Sequence, residues 1–398
     1  MKAFRVKAAG FRPKRAAATF VVAISLLATA TGAASVPAVS SARVAALPDG
    51  SAAALAAGRP VDLRLPIGIF RLTATPNDVL AEGAEVVSIS DASRVPRPRP
   101  PVTTYIGSVS PDMGLRVRLG IDRTVRGIVL QPDGTGWTLI PRTDGGADAV
   151  TLDDHPEATG EDGIAVPGVD SNVRADGVPA GNSGTLLLRL ALEVDHVYFG
   201  FYRTTWEQNV LELVNMTEAI YEQIDVRFRV TSLGAWQTPD PYTAPNACGG
   251  GKLEQFSSYW RNDHVRRAIP RDTAHLLTGF MSGSAAGCAY VSQLNTSLAY
   301  AVNLFRGGLT GMRDSVNIFA HELGHNFNGR HEKSIGPYGA TGLGTAAIVP
   351  PYTLMNPSIG AVVFRFSDLD GAVSPQTGQE LDNAGAMRSY AQLRLGPA

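Results

Sequence analysis

From residue 115 to 121, apolar Leu115, Val117, Leu119 and Ile121 alternate with Arg116, Arg118 and Gly120, the two-residue period of a half-buried strand. Ile128-Val129-Leu130 then runs through the turn residues Pro132-Asp133-Gly134 into Trp137-Thr138-Leu139-Ile140, which predicts a hairpin. With Tyr105-Ile106-Gly107-Ser108-Val109 upstream, the pattern describes an antiparallel, β-rich region over 35–155. From Ala147 to Gly184 the periodicity gives way to Gly, Asp, Pro and Asn, which suits an exposed linker at 156–184 carrying a processing site.

Beyond the linker the pattern mixes both periods. Leu187 to Val194 reads as a strand, and Asp225 to Thr231 as a second. Between them Thr204 to Ile224 reads as a long amphipathic helix, with Trp206, Val210, Leu213, Met216 and Ile220 on its apolar side. A helix around Leu253 to Arg261, a strand at Ala274 to Phe280, an edge-like segment at Ala289 to Leu294 and a strand at Ala299 to Phe305 follow. Val316, Phe319, Leu323 and Phe327 recur at three- and four-residue spacing, marking a further helix with Asp314 as its N-cap. Leu381 to Ala391 reads as a closing helix, so the region 185–398 is of the α+β class.

The N-terminus adds a compartment. Residues 1–15 carry six Lys or Arg and no acid, Ala16 to Leu27 is an apolar run, and small-residue sites end at Ala30, Ala33 or Ala38. These are the parts of a secretory signal peptide, placed at 1–34, and they predict a secreted protein. The run is short for a membrane anchor, and no other segment approaches 18 apolar residues. Without those six positive charges the formal net charge falls from −1 to −7, a balance with no attraction for nucleic acid. Cys248 and Cys288 are the two cysteines of the chain, and in an exported protein such a pair predicts one disulfide. Closing a loop of about 40 residues would stabilise the fold by roughly 3–4 kcal/mol.

The densest chemistry lies at His321-Glu322-Leu323-Gly324-His325-Asn326-Phe327-Asn328-Gly329-Arg330-His331. His321 and His325 fall on one helix face, one turn apart, where two neutral imidazoles can bind a single zinc ion. A catalytic site needs three protein ligands, and His331 supplies the third provided the chain leaves the helix near Asn328-Gly329, residue types that tolerate left-handed backbone angles. Glu322, beside the ligand pair, is then placed as general base toward a zinc-activated water and as proton donor to the departing amine.

This run resembles the metzincin signature His-Glu-x-x-His-x-x-Gly-x-x-His, with Asn328 at the usual Gly position. Tyr352-Thr353-Leu354-Met355-Asn356-Pro357, 24 residues after His331, resembles the methionine-containing turn of that clan, in which Met355 supports the ligands without bonding the metal. Pro357 stands where astacins carry an extra tyrosine ligand, and His-Glu-Leu-Gly-His-Asn-Phe is most similar to the adamalysin/reprolysin branch. The resemblance implies a zincin fold with a twisted mixed five-stranded sheet, an active-site helix and a Met-turn, preceded by a prodomain. It implies a zinc-dependent endopeptidase made as a zymogen, with proteins or peptides as substrates. Substrate would lie along the edge segment Ala289 to Leu294 by strand addition, and Val362 to Phe366 would wall the pocket beside the scissile bond.

Many relatives silence the zinc with a prodomain thiolate, and no cysteine precedes Cys248. Asp153, Asp154 and His155 are the nearest substitutes as capping ligands, set against an ordinary role as solvated linker residues. His196, His264 and His275 lack ligand spacing, and the scattered Asp and Asn residues form no calcium loop of the EF-hand type. Two other functional classes fit the same residues: a non-catalytic secreted zinc-binding protein, against which Glu322 argues, and a zinc hydrolase acting on a non-peptide substrate.

Overall fold

The computed structural model describes residues 43–91, 93–152, 163–164, 184–283, 285–306, 311–331, 353–355, 363–367 and 382–398. The signal segment 1–34, the Asp153-Asp154-His155 cluster, most of the linker, and Tyr352, Asn356, Pro357 and Val362 lie outside these residues.

In chain order come β1 (Val44–Leu47), α1 (Ser51–Ala56), β2 (Val61–Leu65), β3 (Gly68–Pro76), β4 (Leu80–Ser90), β5 (Ser93–Pro96), β6 (Thr104–Ser110), β7 (Arg116–Ile121), β8 (Val125–Leu130), β9 (Gly136–Pro141), β10 (Ala147–Thr151) and β11 (Gly163–Ile164). Then follow β12 (Leu186–Val194), α2 (His196–Phe201), α3 (Trp206–Tyr221), β13 (Val226–Trp236), α4 (Lys252–Asn262) and α5 (His264–Ala268). The last group is β14 (Thr273–Thr278), β15 (Gly287–Tyr290), β16 (Tyr300–Leu304), α6 (Gly311–Asn326), α7 (Asn383–Arg394) and β17 (Gly396–Pro397).

Two sheets organise these elements. The first is antiparallel, in the order β1-β10-β9-β8-β7-β6-β3-β2. Its end strands β1 and β2 approach each other, so it curls around Leu47, Leu63, Phe70, Leu72, Val117, Leu119, Val129 and Leu139. The alternation in β7 decides which side faces where. Val117 and Leu119 fill this core, while Arg118 and Gly120 face α3.

The second sheet runs β11-β15-β16-β14-β12-β13-β4-β5, with β17 beside β12. Strands β12, β13, β14 and β16 are parallel, as β–α–β connections require, and β15 is antiparallel to β16. The sheet therefore differs from the expected five strands: among the described residues it has nine, because the β4–β5 hairpin of the N-terminal region continues it past β13, β11 adds to the far edge of β15 and β17 lies beside β12. The parallel register Ser232↔Glu85 to Trp236↔Ile89 joins the two halves of the chain. Residues from Ser41 onward accordingly form one compact unit.

Helix α3 also departs from the amphipathic expectation. Its polar residues Glu212, Asn215 and Glu218 are as buried as its apolar ones, because the N-terminal sheet covers the side expected to meet water. Arg126 pairs with Glu212, the Asn77 amide donates to Asn215 Oδ1 at 2.8 Å, and Arg227 pairs with Glu218 at 2.9 Å. Buried polar groups satisfied in this way cost little, whereas the same groups left unpaired would be strongly unfavourable. Strand β13 runs on to Trp236, five residues beyond the expected end at Thr231, held by β12 on one side and β4 on the other.

Cys248 and Cys288 form the expected disulfide, with Cα atoms 5.7 Å apart. It ties the loop before α4 to β15, a strand that borders the candidate site. Among the described residues no helix is long and apolar enough to cross a membrane.

Candidate active site

Helix α6 carries two of the three histidines. It begins at Gly311, three residues before the expected start, so Asp314 lies inside the first turn and is not the cap. There its carboxylate complements the positive helix end. Ser315 Oγ donates to Gly311 O at 2.6 Å and accepts from Arg306 N–H at 2.8 Å, joining the helix start to the end of β16. The buried face of α6 packs on β15, β16 and α3 through Val316, Phe319, Leu323 and Phe327.

Its C-terminal end turns the chain as the third histidine requires. Asn328 adopts φ 75°, in the left-handed region, and its N–H donates to His325 O at 3.0 Å. Gly329 N–H donates to Gly324 O at 2.8 Å. Together these are the two bonds of a Schellman motif, closed by Asn where Gly is the more usual residue. The amide also has a use of its own. Ser292 Oγ donates to Asn328 Oδ1 at 2.5 Å, linking the helix end to the segment after β15.

The turn delivers His331 to the other two rings. His331 Nε2 lies 2.8 Å from His321 Nε2 and 3.1 Å from His325 Nε2, and one nitrogen from each residue falls within a 4.8 Å group. The opposite nitrogens set the tautomers. His321 Nδ1 meets Leu354 O at 2.7 Å and His325 Nδ1 meets Gly329 O at 2.9 Å. Carbonyl oxygens only accept, so Nδ1 carries the proton in both rings and Nε2 presents a lone pair. Two lone pairs thus converge with the Nε2 of a third imidazole, and three neutral imidazoles are a catalytic zinc donor set. The residues therefore fit the metal that their spacing implies.

Below the helix, Met355 is fully buried against Gly324, where a β-carbon would come within 2.5 Å of Met355 Sδ. Gly324 thus permits the close approach that also brings Leu354 O beneath His321. Glu322 is fully buried, and its side chain rests on the backbone of Gly287 in β15. A β-carbon on Gly287 would fall within 2.5 Å of Glu322 Cγ and Cδ.

The edge segment is shorter than expected. Strand β15 ends at Tyr290, and Ser292 turns through φ 60°. Beyond it the backbone is claimed by the helix end, with Ser292 N–H donating to His325 O at 2.9 Å and Gln293 N–H to Asn326 O at 3.2 Å. The carbonyls at the C-terminus of α6, which have no partner within the helix ladder, draw donors that a longer strand would have used. The other edge of β15 is paired in parallel with β11, at Gly163↔Ala289 and Ile164↔Tyr290.

Sequence reasoning passed over Gly287, Ser292 and Asn326. Asn326 Nδ2 donates to Tyr290 O at 2.8 Å while its Oδ1 accepts from Thr273 Oγ1 at 2.7 Å, so the residue after His325 braces β15 and β14 together. Its Oδ1 also lies 3.2 Å from Nε2 of His275, a fully buried ring whose pKa burial pushes down to about 4. A buried Asn directly after a ligand is a local signal, but its partners are 26 to 53 residues away.

Residues 187–367 match metallo-peptidase family M12, reprolysin type. Among solved structures, a chain described as "Structure of a chaperone-substrate complex" is similar at 18% identity, over 53% of this chain and 35% of that one, with a TM-score of 0.38. This chain spans about a third of that one's length, and similarity at this level carries no argument about fold or function.

Proposed function

We propose that this chain, whose residues 187–367 match metallo-peptidase family M12 and support a metzincin-like, reprolysin-type metallopeptidase, is a secreted zinc-dependent endopeptidase made as a zymogen. The observation that carries the reading is the convergence of His321, His325 and His331 Nε2 atoms with Glu322 on the same helix. A zinc ion held by the three nitrogens would supply Lewis-acid polarisation and lower the pKa of water toward about 7. The chain's own residues do the rest. Glu322, excluded from solvent and backed by Gly287, takes the proton of the attacking water and returns it to the leaving amine. Leu354 O and Gly329 O hold the ligand rings in one tautomer and orientation.

Substrate in extended form adds to the outer edge of β15, the edge facing away from β16. Pairing of β11 with that same edge supports latency by occlusion, since a linker strand and a substrate strand would use the same backbone groups. No prodomain thiol is needed for such cover. Asp153, Asp154 and His155 remain as metal-capping candidates of the same precursor, and secretion follows from the leader at 1–34.

Cleavage of denatured casein by the trimmed protein, with and without chelator, tests the reading. Chelator-sensitive cleavage is expected. Zinc bound without casein cleavage would favour a non-catalytic binding protein or a hydrolase of another substrate. In the same assay Glu322→Ala should retain zinc and lose at least about 10²-fold in turnover, the low end for removal of a general base.

A further inference from the structure

We infer that residues 43–152 are a lasting subunit of this protein, which stays bound to residues 184–398 as the partner in a two-chain molecule once the linker is cut. The inference rests on the reading of the linker as a processing segment, and on nothing about catalysis.

Three separate surfaces join the halves. The first is a strand pairing: β4 lies parallel to β13, placing Val87 and Ile89 in a core with Trp236, Leu253 and Trp260. Removing the N-terminal region would strip β13 of a neighbour and leave that core open along one side.

The second is the face of the antiparallel sheet on α3. Its Ile128 and Leu130, with Val79 and Leu80 at the start of β4, are at most 4% exposed and share a core with Leu213, Val214 and Leu323 of the catalytic half. Within it Arg126 grips Glu212 with two nitrogens, Nη2 at 2.7 Å from Oε1, and Arg118 reaches Glu222 and Glu218. The Asn215 amide donates to Leu119 O at 3.1 Å. Gly120 lets the sheet approach so closely that a β-carbon there would strike the Glu212 carboxylate. Glu212 has no exposed surface, and burial pushes its pKa up even with Arg126 beside it. Departure of the sheet would break these buried pairs and expose the apolar side chains of the shared core, Leu213 and Val214 among them, to water.

The third surface touches the site. Phe364 N–H donates to Gly134 O at 2.8 Å in the β8–β9 turn, where Gly134 at φ +82° lies under Arg365. Residues 363–366 fall within the expected pocket wall, Val362 to Phe366, and Leu354 N–H, next to Met355, donates to Arg365 O at 2.9 Å. The N-terminal region therefore braces a wall beside the zinc ligands. On this view activation frees the β15 edge from β11 without dismissing the rest of the region.

The test uses the full chain as Glu322→Gln, with a specific protease site inserted between residues 165 and 183, so that no self-cleavage intervenes. After complete cutting, both fragments should co-elute in gel filtration at the mass of the uncut chain and melt in one transition. Separation of the fragments, whether the larger one stays folded or precipitates, would overturn the inference. Arg126→Glu in the cut protein should speed dissociation by at least about tenfold, and adding Glu212→Arg should restore it. If Arg126→Glu fails to fold, serial dilution of the cut parent gives the same answer by the concentration at which the fragments part. With Glu322 present, a co-eluting pair that cleaves no casein would count against the peptidase reading and leave the association standing.

Discussion

Replacing Gly287 with Ala should disable the site without touching a metal ligand. Gly287 lies in β15 with ordinary strand geometry, so its backbone accepts a side chain, and the three atoms nearest to that side chain all belong to Glu322. The added carbon would sit within 2.5 Å of Glu322 Cγ and Cδ, against an ordinary contact of at least 3.4 Å. Relief therefore needs a retreat of at least about 0.9 Å, and more at Oε1, the atom nearest the added carbon, by a fully buried carboxylate on a helix held at both ends. A catalytic group displaced by about 1 Å loses on the order of 10²-fold in rate. We expect kcat/KM on a quenched fluorescent peptide to fall by about that factor, while zinc content by elemental analysis stays at about one per chain. The double variant with Glu322→Ala separates this cause from general damage. If Gly287 acts through Glu322, the pair should be no worse than Glu322→Ala alone. Activity of Gly287→Ala within twofold of the parent, or a full additional loss in the double variant, would refute the argument.

His331→Ala should cut zinc retention on dialysis well below one ion per chain, since two neighbouring imidazoles remain where a catalytic site needs three protein ligands; full occupancy would point to another third ligand. Asn328→Ala should destabilise the protein by about 2–3 kcal/mol in urea denaturation, combining the left-handed strain of a β-carbon without a local amide and the lost Ser292 bond. Asn328→Gly should stay within about 1 kcal/mol, because relief at φ 75° offsets that bond, and equal losses in both variants would contradict the assignment. His275, with its pKa depressed by burial from 6.5 to about 4, binds a proton more readily unfolded than folded. Its contribution is whole above about pH 6.5 and is lost as pH falls to about 4, on the order of 3 kcal/mol; His275→Gln should melt with a flatter pH dependence over that window, and an unchanged slope would show that other groups set it.

The legible part of this protein is what short-range periodicity and spacing encode. His321 and His325 share a face because 3.6 residues make a turn, and Asn328-Gly329 ends α6 because those residues accept left-handed angles; both consequences stay within a few residues of their cause. The hairpin through Pro132-Asp133-Gly134 and the β–α–β run from β12 to β13 were readable on the same grounds. Tertiary structure decided what a given side meets. Glu212, Asn215 and Glu218 look like the wet face of α3, but Arg126, Asn77 and Arg227 lie across from them, between 9 and 138 residues away. A polar residue's period marks a face without saying whether water or a paired charge will satisfy it, and β4 shows no local sign that it will leave its own sheet for β13. Gly287 is the extreme case: its importance lies in a missing carbon opposite Glu322, and an absence acquires meaning only when the fold brings a partner into that space.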